Sequence, residues 1–74
     1  MREEIINLRG LKCPLPALRA RRALSRLEPG DLLVAECTDP LTAVDIPNLA
    51  RETGDMIEST TRHGELLVFH IRKR

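Results

Sequence analysis

Apolar and polar positions alternate along this chain with two different periods, and each change of period marks a new element. Ile5, Ile6 and Leu8 form a short apolar run, so Glu4 to Leu8 reads as a strand. From Pro14 to Leu27 the period lengthens. Ala17, Ala20, Leu24 and Leu27 return at three- and four-residue steps, Leu18 widens the stripe, and Arg19, Arg22 and Arg26 fall on the other side. That is an amphipathic helix, and Glu28-Pro29-Gly30-Asp31 is a strong turn signal that ends it. Leu32 to Cys37 is almost continuously apolar, as an interior strand is.

Thr38-Asp39-Pro40 is a loop opening a second helical region, Leu41 to Thr53, with Ala43, Ile46, Ala50 and Thr53 expected to face inward. Thr42 and Asp45 stand three apart, a loose capping box. Pro47 leaves two readings open: a helix that starts at Pro47 with Asp45 near its cap, or one that starts near Thr42 and bends. Gly54 is the stop. Met56 to Arg62 alternates weakly and reads as a third strand, His63-Gly64 as a two-residue hairpin turn, and Leu66 to Ile71 as a fourth strand with Leu67, Phe69 and Ile71 on one face.

The order is βαβαββ. Strand, helix, strand within so short a span makes the first two strands parallel. The fold class expected is α+β: a two-layer sandwich, with a four-stranded mixed sheet carrying both helices on one face. At 74 residues the chain has room for one domain, spanning 1–74.

Composition sharpens this picture only in places. The hydrophobic fraction of 42% argues for a folded chain, and with Phe69 as the only aromatic residue the core must be built from Leu, Ile, Val and Ala. A net charge of +1 selects no class of partner. No stretch reads as a signal peptide or a membrane span. Two cysteines do not make a secreted disulfide scaffold, so a cytoplasmic protein with reduced thiols and no membrane partner is expected.

The chemistry concentrates in Gly10-Leu11-Lys12-Cys13-Pro14-Leu15-Pro16. A thiol stands where a strand gives way to a helix. Pro14 suits the first helical position and Pro16 the first turn, where N–H groups have no intrahelical partner. Cys13 then lies at or just before the N-cap, where the helix dipole favours a thiolate, and Lys12 adds a positive charge. Against that, two prolines remove donors that would bind the anion. What they supply is a stiff, exposed mount. Gly10 suits a positive φ or a close backbone approach.

Leu8-Arg9-Gly10-Leu11-Lys12-Cys13-Pro14-Leu15-Pro16 resembles the signature of the TusA/SirA-type sulfur carriers, which bear a C-P-x-P motif. The similarity continues through Leu27-Glu28-Pro29-Gly30-Asp31, Thr38-Asp39-Pro40, Asp45-Ile46-Pro47 and Thr53-Gly54. The chain departs from common family usage at Asn7, often Asp, and Asp55, often His or Asn. The resemblance implies a two-layer βαβαββ sandwich and a persulfide relay rather than a self-sufficient catalyst. Cys13 would be the carrier, supported by Gly10, Lys12, Pro14 and Pro16. It implies as partners a cysteine desulfurase or other sulfur donor and a downstream acceptor protein, in tRNA thiolation or other sulfur traffic. No cofactor is implied.

Bland readings stand beside these. Cys37 reads as a buried strand residue, and a Cys13–Cys37 disulfide, as in a thiol redox protein, is an alternative. The arginines of the first helix read as a solvated face, with Lys12 and Arg19 the candidates for partner docking because they lie nearest Cys13. Asp39 and Asp45 read as caps. An RNA- or protein-binding module is a further alternative, but with so few aromatics for stacking, direct nucleic-acid binding is not expected. Two distant cysteines and two distant histidines are not a metal pattern.

Overall fold

The computed structural model describes residues 2–74. Six elements follow in the order β1 (Glu3–Leu8), α1 (Leu15–Ser25), β2 (Leu32–Cys37), α2 (Thr42–Thr53), β3 (Met56–His63) and β4 (Leu66–Arg72). The strands form one sheet in the order β1-β2-β4-β3. β1 runs parallel to β2, and β4 is antiparallel to both β2 and β3. The expected βαβαββ mixed sheet is therefore what forms, with β2 and β4 in its interior.

One face of the sheet carries the core. Leu33, Ala35 and Cys37 from β2 and Leu67, Phe69 and Ile71 from β4 pack with Ala20, Ala23, Leu24 and Leu27 of the first helical segment and Ile46 and Leu49 of α2. The alternation along β4 puts these residues inward at every second position. β3 alternates weakly because little of it is covered: Ile57 packs against the core, a register irregularity follows, and Glu58 to Glu65 are all exposed.

Several local expectations are corrected. α1 starts one residue later than the sequence suggests, with Pro14 as N-cap and Pro16 at N2, and it closes at Ser25. Leu27 stays buried through a tight last turn, its N–H bonded to the Leu24 carbonyl at 3.1 Å. Leu18 is exposed, and Ala23 takes the inward place. α2 begins at Thr42 with Pro47 inside it, so the earlier of the two starts is the correct one. Ala43 points to solvent, whereas Thr42 and Leu49 are buried beside Ile46 and Ala50. Thr42 can be buried because its hydroxyl donates to the Asp39 carbonyl at 2.6 Å. The hairpin turn is Gly64-Glu65, not His63-Gly64, since His63 pairs with Leu66. Gly64 takes φ 61 at the first loop position, where a two-residue turn of the II′ kind needs glycine.

Asp55 follows the glycine that ends α2. Its carboxylate accepts from the Thr53 hydroxyl at 2.7 Å and from the Arg74 N–H at 3.0 Å. Asp31 closes the same pole of the molecule, accepting from the N–H groups of Arg2 and Glu28, each at 2.9 Å. Those two bonds hold its carboxyl below the usual range, the Glu28 bond having the larger effect.

Candidate functional site

The site lies at the opposite pole, where β1 and β2 release the chain side by side; Leu8 and Cys37 are register partners at their ends. The loop after β1 is tied down residue by residue. Arg9 donates its N–H to Asn7 Oδ1 at 3.0 Å and its guanidinium to Glu36 at 2.8 Å. Gly10 takes φ 79, and its N–H reaches Thr38 Oγ1 at 2.9 Å. Cys13 follows, joined to Pro14 by a cis peptide bond.

Asp39 fastens this loop to the next one. Its Oδ2 accepts from the Cys13 N–H at 2.8 Å and its Oδ1 from the Leu41 N–H at 3.1 Å. One carboxylate thus ties the backbone of the thiol residue to the residue that precedes α2. The two bonds, that to Cys13 first, hold the Asp39 carboxyl below the ordinary range, and the charge of Lys12 acts in the same direction. Asp39 reads as a cap from the sequence, but Leu41 is the N-cap and no side chain caps α2; the carboxylate instead joins the Cys13 loop to the loop after β2.

The Cys13 side chain is exposed and opens onto a groove of about 320 Å³ between α1 and α2. Pro14, Ala17 and Leu18 line one wall, and Asp45 and Leu49 the other. An ion pair between Arg21 and Glu52, 2.7 Å long, bridges the walls. The thiol's titration runs against the expectation from the helix dipole: it is pushed up from its ordinary value. Hydrogen bonding to Asp45 is the main cause, followed by partial desolvation and the negative charges of Asp45 and Asp39. The physical reason is local. Two nearby carboxylates outweigh a helix start whose prolines have no N–H to offer.

The remaining sequence candidates separate. Gly10 lies in the loop before the thiol, Pro14 lines the same groove, Pro16 is buried as the second residue of α1, and Lys12 is exposed next to Cys13 in the chain. Arg19 is not on this groove. It lines a cleft of about 390 Å³ on the far side of α1, with Arg22, Arg26 and residues of β1. Helical geometry explains the exchange: Arg19, Arg22 and Arg26 share a stripe, whereas Arg21 follows Ala17 and Leu18 round to the groove. Asp45 is the residue that sequence spacing did not connect to the thiol. Four exposed apolar side chains, Leu15, Leu18, Leu41 and Val44, surround this end of the molecule on the first turns of the two helices.

Cys37 is a free thiol at 0% exposure, and burial pushes it up to about 11, with Thr42 hydrogen bonding partly opposing. Neither His63 nor His70 lines the groove. Among the described residues no three His, Cys, Asp or Glu side chains converge as a metal site would require, and no helix is long and apolar enough to cross a membrane.

The chain is similar to known proteins over most of its length. The family model described as "Sulfurtransferase TusA" matches residues 4–73. The sulfur carrier protein TusA of Allochromatium vinosum is 32% identical over 71 residues, covering 96% of this chain and 93% of that one. A Neisseria meningitidis protein named "Putative sulfur carrier protein" is 40% identical over 57 residues, 77% of each chain. The crystal structure of a SirA-like protein from Desulfitobacterium hafniense superposes with a TM-score of 0.82 at 23% identity, covering 93% of this chain and 95% of the other, a likeness of fold. With the family model spanning nearly every residue and the relatives extending over most of their length, this chain belongs to the TusA/SirA-type family of sulfur carriers.

Proposed function

We propose that Cys13 is the sulfur-carrying residue: it takes sulfane sulfur as a persulfide from a cysteine desulfurase or another sulfur donor and passes it to an acceptor protein. The observation that carries this reading is the contrast in access between the two thiols. Cys13 is exposed on a stiff, hydrogen-bonded loop, and Cys37 is sealed in the core. Sulfur transfer between proteins needs a thiol that a second thiol can reach along the S–S axis. A groove with an apolar rim suits a protein partner, whose surface would cover Leu15, Leu18, Leu41 and Val44 during the exchange. Transfer into tRNA thiolation or other cytoplasmic sulfur traffic belongs to the same reading, with the acceptor rather than this chain fixing the pathway.

The test is intact-protein mass spectrometry after incubation with a cysteine desulfurase, pyridoxal phosphate and L-cysteine. Wild type and Cys37→Ser gain sulfur that a reductant removes, and Cys13→Ser does not. Equal gain in all three, or none in wild type across several desulfurases, would count against Cys13 as carrier.

A further inference from the structure

Cys13 must lose a proton to attack, and the loop that presents it is poor in groups able to take one. Lys12 is cationic, and the prolines carry no N–H. Three carboxylates stand close. Asp39 has both oxygens engaged by the N–H groups of Cys13 and Leu41. Glu52 is held by Arg21. Asp45, on the first turn of α2, lines the same groove as the thiol, and among the described residues its carboxylate is held by no ion pair and by no hydrogen bond to a backbone N–H or a basic side chain.

We propose that Asp45 is the proton acceptor for Cys13 in sulfur transfer. This rests on the persulfide reading of Cys13. When a donor persulfide docks, the Cys13 thiol passes its proton to the Asp45 carboxylate as its sulfur attacks the donor's outer sulfur. The S–S bond of the donor breaks and a new S–S bond forms on Cys13. The donor sulfur leaves with the electron pair of the broken bond and recovers the proton from Asp45. One thiol and one persulfide enter, one persulfide and one thiol leave, and there is no net oxidation. Between encounters the same carboxylate keeps the thiol protonated, so the carrier is less exposed to adventitious alkylation and oxidation.

Two measurements on Asp45→Asn, Asp45→Glu and wild type move in opposite directions if this is right. Alkylation of Cys13 by iodoacetamide across pH reports the thiol alone. Its midpoint falls in Asp45→Asn, so labelling at neutral pH becomes faster, while Asp45→Glu stays near wild type. Single-turnover sulfur uptake from a persulfidated desulfurase slows in Asp45→Asn by roughly 10²-fold, the low end of what a positioned acid–base group contributes, and Asp45→Glu recovers part of the rate. An alkylation midpoint unmoved in Asp45→Asn, or equal uptake by the Asn and Glu variants, overturns the assignment. Thermal melts verify that each variant is folded, and Asp45→Glu alone carries the test if Asp45→Asn is not: uptake abolished with an unmoved midpoint overturns it. Failure of wild type to take up sulfur instead removes the persulfide reading, and the alkylation profiles, which need no donor, still show whether Asp45 holds the thiol's proton.

Discussion

The two cysteines stand at the same end of neighbouring parallel strands and have opposite fates. Cys37 is the last residue of β2, and its side chain faces the helices; burial makes it a small apolar filler whose thiol is pushed up to about 11. Cys13 lies beyond the end of β1, past a glycine with φ 79, and its thiol faces a groove open to solvent. Residue type is identical and proximity to the strand ends is similar. The loop makes the difference: a strand ending on its buried face hides what it carries, while a short loop pinned by hydrogen bonds can hold a reactive group clear of the core without letting it wander.

Substituting the two cysteines breaks the contrast most completely. With Cys13 as the proposed carrier, Cys13→Ser should abolish sulfur loading. Cys37→Ser retains it but melts earlier, because a hydroxyl in that buried place costs about 1–2 kcal/mol; loading assays and thermal melts separate the two effects. Alkylation sharpens the same contrast. Native protein takes one label, at Cys13, and the second appears only on unfolding. The raised Cys37 has a stability consequence as well. Its stabilising effect is complete below the ordinary thiol range and declines as pH rises from that range toward about 11, so alkaline melts of wild type fall more steeply than those of Cys37→Ala.

Asp39 gives the next largest effect. Removing its carboxylate in Asp39→Ala leaves the N–H groups of Cys13 and Leu41 without their acceptor, which lowers Tm and slows loading together. Because the carboxyls of Asp39 and Asp31 are held below the ordinary range, their stabilisation is present above an unfolded value of about 3.9 and lost as pH falls through their lower folded values. Acid melts of Asp39→Ala should therefore fall less steeply than wild type. The smallest change is Gly10→Ala. Beyond its chain neighbours nothing lies within 4 Å of the added methyl, so only the positive φ opposes it, at about 1 kcal/mol; a modest Tm shift with loading preserved is the expected result.

Much of this was legible from residue order. Proline and glycine act locally, so Gly10, Pro14 and Pro16 announced an exposed thiol at a helix start, and the apolar periods gave the order of elements. Helix faces are less legible in the sequence. Leu18 and Ala43 fit a stripe on paper, but the faces that count were set by where the sheet and the neighbouring helix lie, and Leu49, one helical step from Ile46, was the available signal for α2. The carboxylates around Cys13 were not legible as partners. Asp39 and Asp45 are distant from Cys13 in sequence and come to its side because the parallel pairing of β1 and β2 brings the loop after β1 beside the start of α2. The upward shift of Cys13 followed from that meeting, and the dipole argument alone had the wrong sign.

The pole occupied by the first and last described residues has a different consequence. Arg2 bonds to Leu32 and Asp31 where β2 begins, and Lys73 and Arg74 bond to Asp31 and Asp55 nearby. Cys13 lies at the other end of the sheet. Polypeptide attached beyond these residues would therefore trail away from the tip that carries Cys13, and this fold can be tethered to an affinity handle or a surface while its thiol stays open to solvent.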